Sequence, residues 1–300
     1  MNLPASFTRT IRNTFRERGR LFLKALPGLV EEAAQRWQLT DIQAVPSLSY
    51  NFVAFARRRD ADVVLKLGVP DPELTSEIRS LRHFAGRGTA RLLESDSGRG
   101  MLLLERLRPG GQLASVADDA GATRIAAEVM LAIRRPTPSE PGFIQLSNWL
   151  LGFGRMQDRF AGGTAPLDRG LLDRAAAAAR ELMAENHAPM LIHGDLHHFN
   201  ILNSDRGWLA IDPKGVIGPA AYEVGPFLLN PWVATGVPAD APRLMARRLA
   251  IFSEMLGLER GRLRDWGLAH AVLSAIWSVE ATEDWRPAMD CARILAASGD

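Results

Sequence analysis

The chain has 300 residues, 47% of them hydrophobic and 23% charged, with a formal net charge of +2 and a single cysteine. That length and apolar content can bury a large core and suggest two lobes, while the lone Cys291 excludes an intramolecular disulfide framework and a cysteine-based zinc site. The small net charge gives no footprint for nucleic acid, no run approaches the ~18 apolar residues of a membrane span, and the start lacks a long apolar leader, so a soluble cytoplasmic enzyme is expected.

Residues 7–37 read as one or two helices, with Phe15, Leu21, Phe22 and Leu26 at helical spacing and an interruption near Pro27-Gly28. Strand-like runs follow at 42–45, 52–56 and 63–67. The triple arginine 57–59 reads as a solvated hairpin turn between two of them. Asp71-Pro72-Glu73 opens a helix that runs to Phe84 and stops at Gly86. Two more strands are expected at 91–94 and 101–104, giving an antiparallel sheet of about five strands with one inserted helix. Pro109-Gly110-Gly111 reads as a linker, dividing a β-rich lobe (1–107) from a larger, mostly helical lobe (108–300). Helices are expected there at 117–133, 146–160, 168–185 (capped by Asp168), 222–229, 241–255, 263–280 and 286–297.

One stretch interrupts those helices. Leu191-Ile-His-Gly-Asp-Leu-His-His-Phe-Asn200 is followed by Leu209-Ala-Ile-Asp-Pro-Lys-Gly215, and short apolar segments flank the polar residues. Small strands hold polar side chains rigidly at loop mouths, where phosphoryl-transfer enzymes keep a base and their metal ligands. Asp195 would accept a hydroxyl proton, while Asn200 and Asp212 would hold Mg²⁺ against nucleotide phosphates. The pattern is that of a kinase catalytic loop, with His-Gly-Asp where protein kinases carry His-Arg-Asp. The architecture expected is therefore α+β, two-lobed and protein-kinase-like.

Only three of the 36 basic residues are lysines: Lys24, Lys66 and Lys214. Lys66 lies in a β-branched strand, where kinases need a compact ammonium for the α- and β-phosphates; the alternative is an edge strand with the ammonium in water. Glu77, on the inserted helix, is the expected partner of Lys66, whereas Glu73 suits the helix start. Glu105 and Leu107 would lend backbone groups to an adenine edge. No Gly-rich loop covers the phosphates; Ser49 and Asn51 of Ser47-Leu-Ser-Tyr-Asn51 are candidates for that work, a plain polar turn being the alternative. Lys214 would touch the γ-phosphate or balance nearby carboxylates.

The cluster His193, Asp195, His197 and His198 also admits a metallohydrolase reading. Only His83, His187 and His270 remain to complete a ligand set, and none sits in a motif. The favoured reading has His193 and His197 bracing the loop and His198 nearer solvent.

At His193–Asn200 and Ile211–Gly215 the chain resembles the aminoglycoside phosphotransferase superfamily, most closely its streptomycin 6-kinase and hydroxyurea phosphotransferase branch. Residues 207–211, 218–230 and 273–280 look like that branch too. The resemblance implies an ATP- and Mg²⁺-dependent kinase (GTP not excluded), with Asp195 as base, Asn200 and Asp212 as metal ligands and Lys66 on the phosphates. The acceptor implied is a hydroxyl of streptomycin or a related aminoglycoside, with hydroxyurea or another metabolite as the alternative. Glu223 stands where much of the superfamily has Asp. Cationic acceptors call for carboxylates and flat walls: Glu223, Glu280, Glu283, Asp284 and Asp158, with Trp149, Trp277 and Trp285, are candidates. A monomer or weak dimer is expected, with a nucleotide and a small-molecule acceptor as its partners.

Overall fold

In the computed structural model, which describes residues 3–160, 165–185 and 188–299, the chain opens with a single helical run, α1 (Ala5–Trp37). No interruption occurs at Pro27. Buried Phe22, Leu26 and Leu29 flank it and fasten the helix to the sheet beneath, so packing outweighs the lost backbone hydrogen bond. The bend falls at Arg16, whose φ of 51° and ψ of −120° are non-helical. Gly19 permits it, because a Cβ there would meet the Ile11 carbonyl oxygen at 2.3 Å.

Strands β1 (Leu39–Ala44), β2 (Phe52–Arg58) and β3 (Ala61–Leu67) follow, then helix α2 (Pro72–Phe84), β4 (Leu92–Asp96) and β5 (Met101–Glu105). They form the expected antiparallel sheet of five strands with one inserted helix, in the order β1-β2-β3-β5-β4. Strand alternation decides what each face carries. Val63, Leu65 and Leu67 of β3, with Met101 and Leu103 of β5, pack under α1. Leu102 and Leu104 point the other way, onto Leu74, Ile78 and Leu81 of α2. Lys66 falls between Leu65 and Leu67, so it faces α2. That helix starts on Asp71, whose Oδ1 accepts from the Leu74 amide at 2.7 Å, with Pro72 in the first turn.

The Pro109-Gly110-Gly111 stretch is not a free linker. Residues Pro109–Gln112 form β6, and the remaining elements are α3 (Asp119–Ile133), β7 (Arg135–Pro136), β8 (Ile144–Gln145), α4 (Leu146–Leu150), α5 (Gly152–Arg159) and α6 (Arg169–Ala184). Then come β9 (Met190–Ile192), β10 (Ile201–Ser204), β11 (Gly207–Ala210), β12 (Val216–Gly218), α7 (Val224–Leu229), α8 (Trp232–Thr235), α9 (Ala241–Leu256), α10 (Arg260–Ala281) and α11 (Arg286–Ala297). Two short sheets, β11-β10-β6 and β7-β9-β12-β8, sit among the helices. Among the described residues, the largest apolar core draws on Phe84 and otherwise only on residues from Leu113 onward, with Leu263, Trp266, Val272 and Ile276 of α10 at its centre. Asp168 caps α6 by accepting from the Leu171 amide at 2.9 Å. Buried Arg248 reaches Asp119 at 2.6 Å and the carbonyls of Phe227, Leu228 and Asn230, which ties α9 to α3 and to the end of α7. No helix among the described residues is long and apolar enough to cross a membrane.

Candidate active site

Asp195 and Asn200 lie on the loop between β9 and β10, and Asp212 lies just after β11. Three features shape that loop. Gly194 has a φ of 82°, and a Cβ there would meet Val216 Cγ2 at 2.5 Å, so the turn requires glycine twice over. The buried Glu223 carboxylate accepts from the His193 amide at 2.5 Å and the Gly194 amide at 3.0 Å. The His193 ring takes the Asp195 amide on Nδ1 at 3.2 Å and donates from Nε2 to the Ile211 carbonyl at 2.8 Å. One neutral tautomer satisfies both bonds, and burial lowers the imidazole pKa to about 4. Asn200 Nδ2 donates to the Asp195 carbonyl at 2.9 Å, leaving its amide oxygen for another partner. His197 Nε2 stands 3.6 Å from Asp195 Oδ1, and burial lowers the pKa of this ring as well.

Across the cleft, Lys66 Nζ sits 2.7 Å from Glu77 Oε1 and 3.2 Å from Asp212 Oδ1. The edge-strand alternative fails, because the Lys66 side chain is 3% exposed. Burial alone would lower the Lys66 pKa, but Asp212 and Glu77 together raise it, so the ammonium stays charged. Burial raises the Glu77 pKa against the pull of Lys66, and Lys66 holds Asp212 below the usual carboxylate range despite its burial penalty. Asp212 adopts a φ of 58°, in the left-handed region that Asp tolerates better than most residues. Helix α2 is fixed against the same turn: Ser76 Oγ donates to the Gly215 carbonyl at 2.6 Å and accepts from the Ile144 amide at 3.3 Å. Gly215, with a φ of 69°, lets the serine face come this close; a Cβ there would meet Ser80 Oγ at 1.8 Å.

The other candidates divide. Ser49 is exposed at the tip of the β1–β2 loop, and Asn51 folds its amide oxygen against Gly68 at the end of β3. The Glu105 carboxylate is committed to the Arg91 amide at 2.8 Å and to the Arg206 guanidinium, which leaves only its backbone for an adenine edge. Leu107 is buried with Ala90 and Leu209. Lys214 Nζ pairs with Glu73 Oε2 at 3.7 Å. Two placements differ from expectation. His198 is not near solvent: it is buried and stacks on Phe227 at 3.9 Å between centroids. Glu223 is not on an acceptor wall, since both its oxygens are spent under the catalytic loop. Trp277 packs edge-on against Trp149 at 5.5 Å, and the Trp149 ring lies under Gly194, so this aromatic pair adjoins the Asp195 turn. Glu280 pairs with Arg155 at 3.4 Å, and Asp284 accepts from the Arg286 amide at 3.1 Å at the start of α11. Among the described residues no group of three or more His, Cys, Asp or Glu side chains is arranged to hold a metal by itself, as a hydrolase centre would require. His187, a candidate to complete such a set, lies outside the described residues.

Comparison with known proteins agrees with this geometry. A sequence profile described as aminoglycoside/hydroxyurea antibiotic resistance kinase matches residues 36–282. The chain is 34% identical to a streptomycin 6-kinase of Streptomyces glaucescens over 99% of its own length and 96% of the relative's. It is 35% identical to a hydroxyurea phosphotransferase of Kitasatospora aureofaciens, covering 88% of this chain and 76% of that one. Two solved structures share the fold. One is an aminoglycoside phosphotransferase APH(4)-Ia in ternary complex with ADP and hygromycin B (TM-score 0.63, 15% identity, 90% of this chain and 99% of that one). The other is the choline kinase LicA of Streptococcus pneumoniae (TM-score 0.64, 10% identity, 92% and 100%). The fold is thus protein-kinase-like, α+β with a small antiparallel sheet beside a helical lobe, and the chain belongs to the aminoglycoside/hydroxyurea antibiotic resistance kinases.

Proposed function

We propose that this kinase transfers the γ-phosphoryl group of ATP, with Mg²⁺, to a hydroxyl of streptomycin or a related aminoglycoside. The observation that carries the reading is the convergence of Glu77 and Asp212 on the Lys66 ammonium, opposite a loop that presents Asp195 and Asn200. Lys66 is oriented by Glu77 to meet the nucleotide phosphates. Asp195 accepts the proton of the acceptor hydroxyl as its oxygen approaches phosphorus in line. Asn200 and Asp212 offer hard oxygen donors from two loops, and the Asp212 carboxylate is 43% exposed to the cleft. That donor set suits Mg²⁺, which takes one or two protein oxygens and fills its shell with water and phosphate. When bound, the ion would supply neutralising charge at the phosphate oxygens. Catalysis is then chiefly positioning and electrostatics.

For the acceptor, the Trp149 ring beside the Asp195 turn offers an apolar surface that Trp277 extends edge-on, and Glu280 is the acidic candidate nearest to Trp277 in sequence. Such a surface suits a sugar ring or a guanidinium face. Hydroxyurea is the second reading, supported by the relative that bears that name. The deciding experiment measures ADP release across aminoglycosides, hydroxyurea and small alcohols, with the phosphorylated product identified by mass spectrometry. Streptomycin should give the highest kcat/KM. Turnover with hydroxyurea alone would replace the acceptor, and no acceptor-stimulated ADP release would end the kinase reading.

A further inference from the structure

We propose that Lys214 is a further catalytic residue, the cation that meets the phosphoryl group in flight between nucleotide and acceptor; the inference rests on the kinase reading above. Two backbone bonds fix where Lys214 begins. Its amide donates to the His193 carbonyl at 2.8 Å, and the Gly215 amide donates to the same oxygen at 3.2 Å. The residue is thereby fastened alongside the start of the loop that carries Asp195. Its side chain, 38% exposed, reaches across to Glu73 on the first turn of α2, one helical turn before Glu77.

The charges around the ammonium come from both sides of the cleft. Asp195 acts on it most strongly among the neighbouring charges, followed by Glu73, Lys66 and Glu77. Tyr50, on the loop expected to cover the phosphates, feels both Lys214 and Glu73. Lys214 therefore feels the charge of the proton acceptor on its own loop and of the Lys66–Glu77 pair across the cleft, while its ammonium touches Glu73. A phosphoryl group passing from the nucleotide to the acceptor moves between those same groups.

Charge needs point the same way. A phosphoryl group in transfer spreads negative charge over three equatorial oxygens and is stabilised by fixed cations. The His193 ring does not supply one, because both its nitrogens are taken by the Asp195 amide and the Ile211 carbonyl. Lys66, held by Glu77 and Asp212, serves the α- and β-phosphates rather than the group in transfer. The Lys214–Glu73 pair is weak, since both side chains are partly exposed and 3.7 Å apart, so the ammonium can leave Glu73 for a phosphate oxygen at little cost. Residue choice fits as well. Of three lysines among 36 basic residues, Lys24 is on the exposed face of α1, and the other two flank this cleft. An ammonium is a compact point charge with three donors, where a guanidinium would present a wide planar fork.

In the step itself, the acceptor oxygen forms its bond to the γ-phosphorus as the bond from that phosphorus to the β,γ-bridging oxygen breaks. The electron pair of the broken bond stays on the β-phosphate of departing ADP, and the hydroxyl proton passes to Asp195. Lys214 donates hydrogen bonds to the non-bridging oxygens of the group in transfer and is unchanged at the end.

The test compares wild type with Lys214→Met, Lys214→Arg and Glu73→Gln, each first checked for a native thermal melt. Lys214→Met should lower kcat by about 10²–10³-fold, as for loss of one transition-state donor, with KM for ATP within about threefold. Lys214→Arg should recover part of the loss. A readout independent of turnover is calorimetric binding of ADP and Mg²⁺ with and without aluminium fluoride, a mimic of the group in transfer. Wild type should bind tighter with fluoride present, and Lys214→Met should lose that gain while binding ADP alone equally well. The inference is overturned if Lys214→Met keeps its kcat, if only its KM for ATP rises, if the fluoride gain survives, or if Glu73→Gln reproduces the full loss. A wild-type protein that turns over no acceptor instead removes the kinase reading, and this inference with it.

Discussion

Replacing Lys66 by Met should destabilise the protein by about 3–5 kcal/mol at pH 8, the cost of stripping one partner from a buried ion pair. The geometry sets the scale. Lys66 Nζ lies 2.7 Å from Glu77 Oε1, with the two side chains 3% and 8% exposed. Unit charges ~4 Å apart attract by about 4 kcal/mol at an effective dielectric of ~20, and solvent screens little of that here. The figure counts Glu77 alone; Asp212 also holds the ammonium, but its side chain is 43% exposed and its share is discounted for solvent screening. The variant has one escape: Glu77, whose pKa burial already raises, can take a proton. Loss of the ammonium raises that pKa further, so the stability of the variant is highest at low pH and falls as pH rises through it. Urea denaturation at pH 5 and pH 8 should therefore show a smaller deficit at pH 5, with unchanged m-values. The double variant Lys66→Met/Glu77→Leu, which removes both charges, should return to within about 1 kcal/mol of wild type yet remain inactive. A double variant as unstable as the single one, or a single variant whose deficit ignores pH, would refute the argument that the pair is held by mutual charge neutralisation.

Three further outcomes follow from the same geometry. Asp195→Asn should lower kcat by about 10²–10⁴-fold while ATP affinity, measured by calorimetry, changes little; near-normal turnover would remove Asp195 from the role of base. Glu223 has its pKa raised by burial from 4.5 to about 7, so its favourable contribution is present below pH 4.5 and is lost as pH rises through 7. Thermal melts should show wild type losing up to about 3 kcal/mol relative to Glu223→Gln between pH 4.5 and pH 8, and parallel curves would contradict the assignment. Gly215→Ala should cost about 1–3 kcal/mol through its left-handed backbone and its clash with Ser80, and should depress kcat by displacing α2; an unchanged urea midpoint would mean that the turn relaxes freely.

How much of this was legible in the residues depended on how local each signal was. Period-two alternation in β3 is enough to separate Lys66 from Leu65 and Leu67, and the helix starting at Asp71 announces itself by its cap and proline. The polar loop between β9 and β10 was equally plain, because its spacing is dictated by the strands on either side. Long-range packing was not legible. Pro27 reads as a break, yet apolar contacts with the sheet carry α1 through it, while Arg16 carries no mark of the bend it makes. Pro109-Gly110-Gly111 reads as a linker, yet β10 pairs with it. His198 and Glu223 look polar and available, and only the fold shows one stacked in the core and the other bonded to loop amides. Glu223 left one trace, a carboxylate eleven positions after Asp212, but sequence cannot say which way such a side chain points.

The serine contact beneath α2 bears on how such an enzyme could be controlled. Swinging this helix outward would break both bonds of Ser76 and pull Glu77 from Lys66 in a single motion. At about 1 kcal/mol for each hydrogen bond, the two Ser76 bonds alone would hold the outward arrangement to a few per cent. Any effector that held α2 outward would have to bind that arrangement more tightly than the closed one by at least the free energy of these contacts.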